Sequence, residues 1–202
     1  MKIFLKINQI KQLLSISRRV PRDCAMFHLA ISTGFRISDI LSLKRADMVG
    51  ANGDIIKVLR LKTIKTKRWM DKPLRSDCRR AVEDYLNKRN DDNPYMFPPT
   101  QVKSRFGINS CRPMCRMTAH RIFKSYLSRI IDPDMLVGAA THTIRRSMGK
   151  IISDESGRIE PASEYLGHTN IVSTRTYIDP DGHRERAETI VTEIELELEI
   201  EL

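Results

Sequence analysis

The stretch from Ile55 to Leu74, IIKVLRLKTIKTKRWMDKPL, constrains the fold most. Its apolar and β-branched residues alternate with Lys and Arg, whereas the longer segments around it repeat at three to four residues. Alternation of this kind is strand grammar with one solvated, basic face. Two or three short strands joined by tight turns are therefore expected inside an otherwise helical chain. With 202 residues and 41% hydrophobic content the chain can bury one good core, and a second full domain is not expected. The fold class that follows is α+β, mainly helical with a small antiparallel β-sheet.

The helical segments are read from their apolar spacing. Ile7, Ile10, Leu13 and Leu14 open the chain as a short amphipathic helix that Pro21 interrupts. Ala25, Met26, Leu29 and Ala30 share a face of the next, which runs through Thr33-Gly34 into FRISDILSL, where Ile37, Ile40, Leu41 and Leu43 resume the period. Arg36 stands at that glycine break, where a guanidinium beside free backbone N–H groups is placed to fork onto a phosphate. Residues 75 to 90 form a further helix with Ala81, Val82, Tyr85 and Leu86 inward, and AHRIFKSYLSRI restores the period before Asp132-Pro133 stops it. Between them Asp91 to Thr118 carries four prolines and little periodicity, which predicts a long, functional loop.

Charge points to the partner. The formal net charge is +10, yet residues 185 to 202 hold seven Glu and one Arg, so the rest of the chain carries +16. A body that basic favours a polyanion, because Lys and Arg that neutralise phosphates release counterions. In the hairpin Lys57, Arg60, Lys62, Lys65, Lys67 and Arg68 would lie along a DNA backbone, unless they only guard a solvated sheet edge. Lys103, Arg105, Arg112 and Arg116 in the long loop are further candidate DNA contacts. No apolar run reaches 18 residues and the first residues do not read as a signal peptide, so a cytoplasmic protein is expected. Cys24, Cys78, Cys111 and Cys115 are too few and too irregular for a disulfide scaffold, and Cys111, Cys115 and His120 fit no common zinc pattern. Neither a metal nor another cofactor is expected. The closing TEIELELEIEL alternates Glu with aliphatics, which suits either a strand docking onto a sheet edge or a frayed acidic tail.

The last third concentrates the chemistry. His142 and Arg145 stand three apart at the start of a helix after Thr141, so both project from one face, and that face can meet a phosphate. Gly167 can end a helix, His168 follows it, and Tyr177 comes nine residues later. A phenol beside an Arg/His cluster is a nucleophile suited to a phosphodiester.

TGFRISDILSL, the Lys-bearing β segment, HTIRRS and LGHTNIVSTRTY resemble, in order and spacing, the motifs of the tyrosine recombinases, also called the phage integrase family. The resemblance runs from about Ile7 to Tyr177. It implies a tyrosine recombinase catalytic domain over residues 1–184, followed by an acidic strand or tail over 185–202 that docks in cis or in trans. The separate helical DNA-binding domain that most members place in front is expected to be absent, as in a fragment or a short natural form. The implied activity is site-specific recombination of double-stranded DNA: cleavage and rejoining through a 3′-phosphotyrosine, without metal or ATP, in integration, excision or inversion. Residue by residue, the resemblance makes Arg36 and Arg145 the two arginines, His142 and His168 the two histidines, and Tyr177 the nucleophile. Lys65, eight residues before Pro73-Leu74, becomes the hairpin lysine, with Lys62 and Lys67 as alternatives and Arg68 as a DNA contact. Asp39 would orient Arg36 or cap its helix. A homotetramer on paired sites, at the nucleoid, with an accessory DNA-bending protein completes the expectation.

Overall fold

The computed structural model describes residues 3–99 and 111–178. Helices α1 (Ile7–Ser17), α2 (Pro21–Thr33) and α3 (Ile37–Ser42) precede a hairpin of β1 (Val58–Lys62) and β2 (Trp69–Pro73). Then come α4 (Ser76–Asn87), α5 (Arg116–Leu127), the short α6 (Pro133–Leu136), α7 (His142–Ser156), α8 (Glu160–Leu166) and α9 (Ile171–Ile178). The chain is thus mainly helical with one small antiparallel sheet, as the periodicity predicts, and the sheet has two strands among the described residues. Val58 pairs with Pro73 and Lys62 with Trp69, so Leu59, Leu61, Met70 and Lys72 face inward while Arg60, Lys62, Trp69 and Asp71 face out.

Local signals set the ends of the elements. Pro21 begins α2 at a position where its missing N–H costs nothing, and Gly34 closes the helix in the left-handed region at φ 64°. The buried face of α2 makes it the central helix, packed against α1, α3, α4, α7 and β2. Leu13, Leu29, Leu59, Phe97, Phe123 and Leu127 form the heart of one large apolar core. Buried Asp23 ties α2 to α5 by accepting from the Tyr126 hydroxyl at 3.1 Å while pairing with Arg22. A second, smaller cluster of Ala162, Leu166 and Ile178 joins α7, α8 and α9.

The first part of the segment expected to be an irregular loop is well held. The buried Arg89 guanidinium binds the carbonyls of Asn93, Tyr95 and Met96 and pairs with Asp91, while Met96 N–H donates to the Leu43 carbonyl at 2.7 Å. Met96 and Phe97 are thereby buried in the core, and α5 starts at Arg116, inside the span read as loop. Among the described residues no helix is long and apolar enough to cross a membrane.

Candidate active site

Arg145 is the hub. It lies on the first turns of α7, three residues after His142, and is only 4% exposed because its side chain turns into the protein. One terminal nitrogen, Nη1, donates to the Gly34 carbonyl at the end of α2. The other, Nη2, donates to the Leu166 carbonyl at the end of α8 and lies 3.4 Å from His168 Nε2. A planar fork that bridges two helix C-termini suits arginine and not lysine, and both carbonyls carry the partial negative charge of a helix end. Gly34 is required there twice over, since its φ is positive and an added Cβ would come within 2.6 Å of the Tyr165 ring.

Gly167 ends α8, and His168 follows half-buried, its Nδ1 2.9 Å from Thr174 Oγ1 on α9. This second contact fixes the ring so that Nε2 faces Arg145. The His168 and Tyr177 rings meet edge to face with centroids 5.4 Å apart. Tyr177 sits on the last turn of α9 with Arg146 over its ring at 5.3 Å, and Arg146 also lies 6.0 Å from the Phe4 ring. The Tyr177 hydroxyl is buried with no hydrogen-bond partner of normal geometry among the described residues. Beside α9 a shallow groove is lined by Asn170, Val172, Ser173, Thr176 and Tyr177.

Arg36 caps α3 from the loop after Gly34 and is half-buried, its guanidinium making no hydrogen bond or ion pair among the described residues. His142 leads α7 with an exposed side chain. Lys65 is exposed in the turn between β1 and β2. That turn is closed by Thr63, whose N–H donates to the Arg68 carbonyl at 2.9 Å, and by Lys67, which adopts φ 55°. Asp39 fixes it to α3: buried, its Oδ1 accepts from the Ile64 N–H at 2.8 Å. The expected link from Asp39 to Arg36 is therefore corrected. The carboxylate neither caps α3 nor bonds Arg36, because the hairpin turn presents the Ile64 backbone N–H to it instead.

The electrostatics bind these groups into one cluster. Partial desolvation, then the charges of Arg145, Arg36, Arg146 and Lys65, hold the His142 pKa below the ordinary histidine value. His168 is drawn down to about 4, by burial first and then by Arg145, Arg36 and Lys65, so it is neutral near pH 7. Tyr177 is raised, because burial outweighs the opposing pull of Arg145, Arg146 and Arg36. Lys65 acts on both histidines, and Lys62 and Lys67 are not among the causes of either shift. A neutral imidazole, a protonated phenol and several uncompensated cations describe a pocket waiting for an anion.

Of the residues expected from sequence, Arg36, Lys65, His142, Arg145, His168 and Tyr177 are brought together. Lys62, Lys67 and Arg68 are exposed on the hairpin, and Arg112 and Arg116 are exposed before and at the start of α5. Lys103, Arg105 and the acidic segment 185–202 lie outside the described residues. Sequence reasoning missed Thr174, which orients His168, and Lys72, whose inward register within β2 was the available signal.

The phage integrase family model matches residues 4–184. Among curated proteins the chain is similar to tyrosine recombinase XerD of Chlamydia pneumoniae, 26% identical over 163 residues, which is 77% of this chain and 48% of that protein. It is equally similar to the probable integrase/recombinase YoeC of Bacillus subtilis (strain 168), 26% identical over 90% of either chain. The chain thus spans about half the length of the one relative and nearly all of the other. Among solved structures, XerH site-specific recombinase bound to palindromic difH substrate as a post-cleavage complex shares the fold, with a TM-score of 0.64 and 15% identity over 94% of this chain and 53% of that one. With a family match over most of its length and four motifs gathered at one site, the chain belongs to the phage integrase family.

Proposed function

We propose that the protein is a site-specific DNA recombinase that cuts and rejoins strands through a 3′-phosphotyrosine at Tyr177. One observation carries the reading: two arginines, two histidines, a lysine-bearing turn and a buried phenol under the pull of Arg145 form one charged cluster, with no carboxylate paired to it among the described residues. XerH bound to a palindromic difH substrate, and the similarly folded Tn1549 transposon integrase in complex with circular intermediate DNA, support DNA as the substrate.

In this mechanism a backbone phosphate enters between Arg36, whose forked donors take its non-bridging oxygens, and Arg145, which adds the N–H groups not spent on the Gly34 and Leu166 carbonyls, with His168 Nε2 as a further donor. Burial first, and then the charges of Arg145, Arg36 and Lys65, depress His168; the phosphate offsets the charges but not the burial, so it raises the proton affinity of the ring only in part. His142 assists removal of the phenolic proton, which the raised pKa of Tyr177 makes necessary. Tyr177 attacks phosphorus, the bond to the 5′ oxygen breaks, and Lys65 protonates that leaving group. A second 5′ hydroxyl reverses the step on another strand, so bond energy is kept and no ATP is used. Because the Tyr177 hydroxyl is buried, α9 must shift before attack, and DNA engagement supplies the driving force. Exchange uses a tetramer on two paired sites at the nucleoid, with an accessory bending protein where the sites demand it.

Sequencing the DNA ends that become covalently attached to the protein in fragmented genomic duplex tests the reading. Ends clustered at one short motif are expected. Ends spread over all sequences would instead identify a relaxing topoisomerase, and DNA binding without attachment would identify a regulator that keeps the fold without the chemistry.

A further inference from the structure

Lys72 is the one lysine whose side chain faces into the protein from the hairpin: only 8% exposed, it lies in β2 seven residues after Lys65. Its Nζ donates to the Tyr165 carbonyl at 2.7 Å and to the Glu164 carbonyl at 3.2 Å, and it stands 5.5 Å from the Tyr165 ring. The next carbonyl, Leu166, is the one held by Arg145. Three successive carbonyls at the end of α8 are thus held by two cations from different elements. The same strand presses on the turn that follows, for a Cβ at Gly167 would fall 2.2 Å from Met70 Cε. Glu164 and Ser163 also accept the Gly167 and His168 amides, which places His168 at the end of the clamp.

We propose that Lys72 is a positioning residue, which latches the hairpin carrying Lys65 to the end of α8 and thereby sets His168 and Tyr177 against Arg145. The inference rests on the recombinase reading for its catalytic consequence. A buried ammonium is costly unless it is hydrogen-bonded, so a lysine kept at this strand position must answer to the carbonyls it meets. Burial, and then the Arg145 charge, lower its pKa to about 8, with exposed Glu164 opposing, so the ammonium form still prevails near pH 7. The latch links two groups that act at opposite ends of the scissile bond: the proton donor on the hairpin and the nucleophile's neighbour on the α8–α9 turn. Misplacement of catalytic groups by about 1 Å costs rate far more than affinity.

The test compares the wild type with Lys72→Met, which keeps the buried stem and removes the donors, and Lys72→Arg, which restores them. Single-turnover formation of the covalent adduct on nicked suicide duplex, duplex affinity, the His168 imidazole resonances and amide exchange at Gly167 and His168 are measured on each. For Lys72→Met the expected result is adduct formation slowed about tenfold or more, affinity within about twofold, shifted His168 resonances and faster exchange at both amides. Lys72→Arg is expected to recover most of the rate. Unmoved resonances and exchange with a wild-type rate would overturn the proposal, as would a loss of affinity that matches the loss of rate. Wild-type protein that forms no adduct would sink the recombinase reading alone, since the resonance and exchange measurements still decide whether the latch exists. If Lys72→Met does not fold, Lys72→Gln, with one amide donor on a shorter stem, carries the same comparison.

Discussion

The two site arginines do different work. Arg145 satisfies two helix-end carbonyls, so Arg145→Ala leaves buried acceptors without partners and is expected to lower unfolding free energy by about 2–4 kcal/mol, read by urea denaturation, as well as removing cleavage. Arg36 is half-buried and bears no such load, so Arg36→Ala is expected to change stability by no more than about 0.5 kcal/mol while slowing adduct formation about a hundredfold or more. Equal losses of stability in the two variants would contradict this division. His168 adds a pH dependence. Its folded pKa of about 4 lies below the ordinary 6.5, so the unfolded chain takes up a proton first as pH falls. Stability is therefore full above about pH 6.5 and is lost as pH drops from there toward 4; His142 shifts the same way, and a urea midpoint that holds constant between pH 7 and 5 would refute the assignment. The six residues were singled out in the chain by the order and spacing of motifs that resemble a known family, Lys65 with Lys62 and Lys67 as alternatives. The partners that hold them, Gly34 O, Leu166 O and Thr174, were not, because any residue supplies a carbonyl and a threonine carries no signal of what it will face.

At the scale of elements, the hairpin is a presenting arm held at two points, by Asp39 at its turn and by Lys72 along β2. Asp39→Ala is expected to cost about 1–2 kcal/mol and to slow cleavage while leaving His168 resonances in place, because the turn it holds carries Lys65 and not α8. Helices α7, α8 and α9 form the other half of the site around Leu166 and Ile178. Period-2 alternation disclosed the hairpin, and caps at Pro21, Gly34 and Gly167 disclosed helix ends. The tightly held segment around Tyr95 and Met96 was hidden, since its order comes from Arg89 reaching over carbonyls and not from any repeat. Asp39 was misread for a related reason: as the acidic position of the first motif it was expected to orient Arg36 or cap its helix, and only the tertiary fold brings the Ile64 N–H to it.

For the whole molecule, a net charge of +10 and a cation-lined site make binding to duplex DNA a counterion-release process, so log affinity is expected to fall linearly with log salt. Lys62→Ala and Lys67→Ala should each flatten that slope by about one unit without changing the site chemistry, whereas Lys65→Ala should cut the rate more than the slope. The fold was legible because one strand segment among helices leaves few ways to build a core, while the burial of Tyr177 depends on how α9 packs, which no local pattern encodes. The measurement that bears most directly on the account is identification of the residue joined to DNA. The protein is trapped on nicked suicide duplex, digested, and the DNA-bearing peptide sequenced by mass spectrometry. The account predicts a 3′ phosphate ester on Tyr177, with no adduct in Tyr177→Phe; a link through any other residue, or an adduct that survives Tyr177→Phe, would contradict it.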